Sequence, residues 1–124
     1  DVGLQARATT GGISTVWRLL SSAATTNGTS IKASSGRLFK ICGLNNAASI
    51  RYLKLYNKVA PVVGADVPVI TIPLRASAEF DIDLGVYGHF FSTGISYAIT
   101  GAVADSDTTA IAAGDIVGMN IWYA

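Results

Sequence analysis

With 124 residues, half of them apolar and only 14% charged, the chain has the length of one domain and can bury a core without help from a metal or a disulfide. A net charge of +1, with Lys and Arg spread singly along the sequence, provides no like-charged block of the kind that grips nucleic acid, so nucleic acid is not an expected partner. One cysteine, Cys42, excludes an internal disulfide, and with a single histidine it leaves too few soft ligands for an ordinary zinc site.

Residues 1–15, "DVGLQARATTGGIST", are small and weakly patterned, and are expected to form an extended N-terminal arm ahead of a domain spanning 16–124. "VWRLL" is followed by a polar stretch in which Asn27-Gly28 signals a turn. "RLFKICGLN" (37–45) alternates, with Leu38, Cys42 and Leu44 expected inward and the Cys42 thiol buried and inert. "SIRYLKLYNK" (49–58) places Leu53 and Leu55 on one face and Tyr52, Lys54 and Tyr56 on the other. The short connection around Asn45-Asn46 predicts a hairpin between these two strands. "VPVITIPL" (67–74) is rich in β-branched residues, and its two prolines suit strand ends or a sheet edge. "EFDIDL" (79–84) has a period of two, with Glu79, Asp81 and Asp83 outward and Phe80, Ile82 and Leu84 inward. "GHFFSTG", "ISYAIT" and "DIVGMNIWYA" complete the strands, and "GAVADSDTT" separates the last two.

No window carries helical periodicity with caps. Seven to nine short strands punctuated by Gly, Pro and Asx turns predict an all-β fold, a single antiparallel β-sandwich or jelly-roll-like domain. No apolar run is long enough to span a bilayer, and the chain is expected to work without crossing a membrane.

Catalytic chemistry finds little support. His89 stands beside Phe90 and Phe91 and is expected to pack, and no Gly-x-Ser-x-Gly elbow or phosphate-cradling glycine loop occurs. Glu79, Asp81 and Asp83 stand about 7 Å apart along one strand face, and are expected to form a solvated face or to pair with Arg51, Lys54 or Lys58 across strands. "DSDTTAIAAGD" (105–115) is oxygen-rich but lacks the spacing of an EF-hand. It is expected to be a hairpin tip. No cofactor is expected, and the protein is read as a non-enzyme.

Charge is unevenly placed. All nine Lys and Arg lie between Arg7 and Arg75, and only carboxylates follow. The two portions are suited to pair within the fold or between adjacent subunits, in a head-to-tail contact of the kind that closes rings.

The stretches "SSAATTNGTSIKASSGRLFKICGLNNAASIRYLKLYNK" and "FSTGISYAITGAVADSDTTAIAAGDI" resemble small virion structural proteins of tailed bacteriophages. The residues that carry the resemblance are Thr26, Asn27, Thr29, Ile31, Lys32 and Ala33, then Arg51 to Asn57, Phe91 to Thr100 and Asp105 to Thr109. It covers residues 21–123 and leaves the arm unmatched.

The resemblance implies a scaffold rather than a chemistry, of the type that includes capsid decoration (cement) proteins. On that reading the partner is the major capsid protein, the chain is a homotrimer at threefold positions on the virion surface, and assembly takes place in the host cytoplasm. Expected subunit or shell contacts are Arg7 in the arm, Trp17, and Arg51, Tyr52, Lys54, Tyr56 and Lys58 on or beside one strand. Glu79, Asp81 and Asp83 supply the acidic counterpart. The alternative is a tail- or fibre-associated carbohydrate- or receptor-binding sandwich, with Trp17, Tyr52, Tyr56, Tyr87, Trp122 and Tyr123 as candidates for a sugar platform.

Overall fold

A computed structural model describes residues 13–124. Among the described residues there are nine strands and no helix: β1 (Thr15–Ser21), β2 (Thr29–Lys32), β3 (Gly36–Asn45), β4 (Arg51–Tyr56), β5 (Ile70–Leu74), β6 (Ala78–Asp83), β7 (His89–Phe91), β8 (Ile95–Thr100) and β9 (Ile116–Tyr123). They form two antiparallel sheets, one ordered β1-β9-β3-β6 with β7 also paired to β3, the other β2-β8-β4-β5. The inner faces bury Leu38, Ile41, Met119 and Ile121 from the first sheet against Leu53, Leu55, Ile95, Tyr97 and Ile99 from the second. This is a β-sandwich, as the alternation of the sequence predicts.

The hairpin expected between residues 37–45 and 49–58 does not form. β3 pairs with β6, β7 and β9, whereas β4 pairs with β5 and β8. The chain changes sheets at Asn45, which is fully buried. Its amide donates to the carbonyls of Ser49 and Leu74 at 3.2 and 3.0 Å, and its Oδ1 accepts from the N–H of Ala47 at 3.0 Å. A buried corner needs its backbone polar groups satisfied, and one side chain satisfies three of them here.

β3 also departs from strict alternation. Its register against β9 shifts between Leu38 and Lys40, so Leu38 and Ile41, three residues apart, both reach the core. Cys42 consequently lies outward and half-buried rather than in the core.

Edge positions follow the sequence more closely. β5 is the edge strand of its sheet and carries Pro73, where a missing N–H leaves no central ladder bond unmade. β6 alternates as expected, with Glu79, Asp81 and Asp83 exposed. The Asn27 turn is built with φ of +54°. Its side chain closes the loop through Ala23 N–H and the carbonyls of Ala23 and Thr25.

Candidate interaction surfaces

The residues expected to make contacts are dispersed by the fold. Arg7 and most of the expected arm lie outside the described residues. The end of that arm reaches the first sheet, where Thr15 opens β1 and Ser14 N–H donates to the Tyr123 carbonyl at 3.1 Å. Trp17 does not face outward: its ring packs against the core.

The outward face of β4 is covered. Lys54 and Tyr56 are fully buried and are not available to a partner, while Tyr52 is half-buried. Their β8 neighbours on the same face, Ser96, Ala98 and Thr100, are buried as well. The cover consists of the β4–β5 and β8–β9 connections. Lys54 Nζ donates to the Ala104 carbonyl, Thr100 Oγ1 to that of Ala102, and the two connections meet where Gly64 lies against Thr108. Alternation reports which way a side chain points, but not whether a loop then folds over it.

Residues 105–115 are a brace between sheets rather than a hairpin tip, since β8 and β9 belong to different sheets. Asp107 accepts from the Thr109 hydroxyl at 2.7 Å and from the N–H groups of Thr109 and Ala102 at 3.1 and 3.2 Å. The Thr109 hydroxyl is the chief cause that holds its carboxyl below the usual carboxylate value. Asp115 accepts from Arg51 Nε and from the Ala112 N–H, both at 2.9 Å. Arg51 is therefore engaged within the chain.

Lys58 pairs with Asp66 at 3.5 Å. Asp81 pairs with Lys40 at 3.4 Å, not with Arg51, Lys54 or Lys58, because its neighbour in the sheet is β3 and not β4. These exposed pairs contribute little to stability. The charge asymmetry is thus partly resolved inside the fold, by Lys40–Asp81 and Arg51–Asp115.

Among the described residues no three His, Cys, Asp or Glu side chains converge as metal ligands. His89 is exposed and sets its ring edge against Phe91, 5.0 Å between centroids. Of the six aromatics expected for a sugar platform, only Tyr87 is exposed; Trp17, Tyr52, Trp122 and Tyr123 are half-buried and Tyr56 is buried.

Two exposed features stand out among the described residues. The first is the outer face of the β1-β9-β3-β6 sheet, where register aligns three rows: Val16, Trp122, Lys40 and Asp83; Arg18, Asn120, Cys42 and Asp81; and Leu44 between Val117 and Glu79. A groove of about 660 Å³ runs across it, lined by Cys42, Leu44 and Val117, with Glu79 and Asp81 along one side. At its other side Gly118 adopts φ of +58°, within the second register shift between β3 and β9. A Cβ there would meet nothing within 4 Å, so this bulge leaves the groove open.

The second feature is the β6–β7 tip, Gly85-Val86-Tyr87-Gly88. Val86 is 88% exposed, Tyr87 82% and the nearby Phe90 52%. The tip is tied down despite its exposure. Gly88 N–H donates to the Gly85 carbonyl at 3.1 Å, Gly85 N–H to Asp83 Oδ1 at 2.8 Å, and Arg37 Nη1 to the Tyr87 carbonyl at 3.3 Å. Arg37 also lies over the Phe90 ring, 5.2 Å from its centroid. Gly88, at φ of +68°, passes so close to β3 that a Cβ would fall 2.7 Å from the Leu38 carbonyl oxygen. The sequence signal for this tip is a pair of glycines bracketing two apolar residues, which reads as an ordinary turn.

No protein-family model, curated protein or solved structure matches this chain.

Proposed function

We propose that the chain is a non-enzymatic virion structural protein, a decoration protein that binds the outside of a phage head and stabilises it. Its partner would be the major capsid protein, and its form a homotrimer at threefold positions. The observation that carries this reading is the disposition of exposed apolar groups. Val86, Tyr87 and Phe90 are displayed on a hydrogen-bonded tip, whereas Arg51, Lys54, Asp107 and Asp115 are engaged in bracing loops. A rigid scaffold that spends its polar groups internally and offers apolar ones to a neighbour suits assembly. The carbohydrate-binding alternative loses most of its platform, because stacking needs open ring faces and Tyr87 is the one exposed residue of the six.

Heads produced without this chain should lose integrity at a lower temperature than heads that carry it, and adding the purified protein back should restore the difference. Equal heat resistance of the two kinds of head, with no protein retained on add-back, contradicts the reading.

A further inference from the structure

We infer that the β6–β7 tip of one protomer seats in the outer-sheet groove of a second copy of this chain, in a head-to-tail contact. This inference rests on the homo-oligomeric part of the reading above and names the two surfaces that would make it.

The two features are complementary in apolar character and in charge. The tip presents a side-by-side valine and tyrosine, with the Arg37 guanidinium at its base. Arg37 takes part in no ion pair among the described residues. The groove is concave and apolar along Leu44, Val117 and Cys42, and two carboxylates border it. Asp81 is shared with Lys40 at 3.4 Å, whereas Glu79 has no cationic partner among the described residues.

Tyrosine in an apolar recess with arginine beside it is the composition of an interface hot spot. A tip already fixed by three hydrogen bonds loses little freedom on docking. Asp83, the nearest carboxylate on the tip's own strand, is turned back to the Gly85 N–H and does not cancel the Arg37 charge by pairing with it.

Tip and groove are different patches, so the contact is heterologous: each copy donates one tip and accepts another, and a suitable rotation closes a ring. An occupant with an acidic surface would be repelled by Glu79 and Asp81, and a small apolar ligand would leave Glu79 without a cation. A second copy brings both the apolar knob and the cation.

The test uses light scattering on the purified protein and two variants, each with its secondary structure checked by circular dichroism. Tyr87→Ala removes the knob and keeps the groove. The double variant Glu79→Lys/Asp81→Lys reverses the groove rim and keeps the knob, and all three positions are exposed, so the fold should persist. Wild type is expected as a closed oligomer, and each variant alone as a 12.8 kDa monomer. An equimolar mixture of the two variants should give a dimer of twice that mass, since only one knob–groove pair can form.

If both variants keep the wild-type oligomer, or the mixture stays monomeric, the contact is overturned while head binding is untouched. If the wild type is itself monomeric, both this contact and the trimer fall, and the heat-resistance comparison of heads still decides the decoration reading by itself.

Discussion

Asn45→Leu, which keeps the branched shape of the side chain but none of its hydrogen bonds, should lower the thermal midpoint by about 10 °C. The substitution removes the bonds to the Ser49 and Leu74 carbonyls and from the Ala47 N–H. It leaves the Leu74 carbonyl and the Ala47 N–H, both at buried residues, without this partner at the corner where β3 crosses to the other sheet. An unsatisfied buried group costs about 1–3 kcal/mol, so a total of about 3 kcal/mol is expected, and a domain of this size loses about 4 °C per kcal/mol. Asn45→Asp should be similarly harmful, because it keeps an acceptor for Ala47 but loses both donors and brings a charge into a buried site. Circular dichroism melts of the two variants check this. A shift under about 2 °C for Asn45→Leu would mean that the corner is held by other contacts.

Tyr56 should behave in the opposite way according to what is removed. Its side chain is fully buried, and its hydroxyl has no hydrogen-bond partner among the described residues. Tyr56→Ala should cost about 3–5 kcal/mol through the cavity it leaves. Tyr56→Phe should be neutral, or stabilising by up to about 1 kcal/mol, because it removes a buried polar atom that makes no bond.

The pH dependence should separate the same two groups. Burial, followed by the negative charges of Asp66 and Asp105, raises the Tyr56 phenol above its ordinary value of 10.0. A value raised in the folded state means that the neutral phenol's contribution is fully present below pH 10. It is lost as pH rises through the folded value. Tyr56→Phe should therefore flatten the alkaline fall in stability above pH 10, as measured by denaturant melts across that range. An unchanged alkaline limb would place the titrating group elsewhere.

The sequence carries the fold class because alternation and turn residues are local signals. β6 illustrates this: its period of two assigns both faces correctly, and three carboxylates mark the outer one. The prolines of 67–74 limit that segment to strand ends or an edge for a reason equally local, and β5 is an edge strand. Pairing is not local. The segments that read as a hairpin, β3 and β4, lie in different sheets, and the decisive residue is an asparagine whose partners are four and 29 positions away.

Burial of the outer face of β4 was hidden for a related reason. "RYLKLYNK" has one core face as its pattern states, but Lys54 and Tyr56 are buried by connections that fold over them from further along the chain. A lysine in a strand normally marks water. Here its long stem crosses the covered face and its ammonium reaches the Ala104 carbonyl at the rim. The candidate surfaces were half legible. The carboxylates of β6 border the groove as exposed groups, but the groove itself depends on a β-bulge at Gly118, and the Val86-Tyr87 tip sits inside what reads as a plain turn.

The central claim, that this chain is a stoichiometric part of a phage head, is tested most directly by separating cognate virions into heads and tails and counting copies of the chain in each by quantitative mass spectrometry. The account predicts many copies per head, in a fixed ratio to the major capsid protein, and none on tails. A few copies confined to tails, or none in the particle, would contradict it.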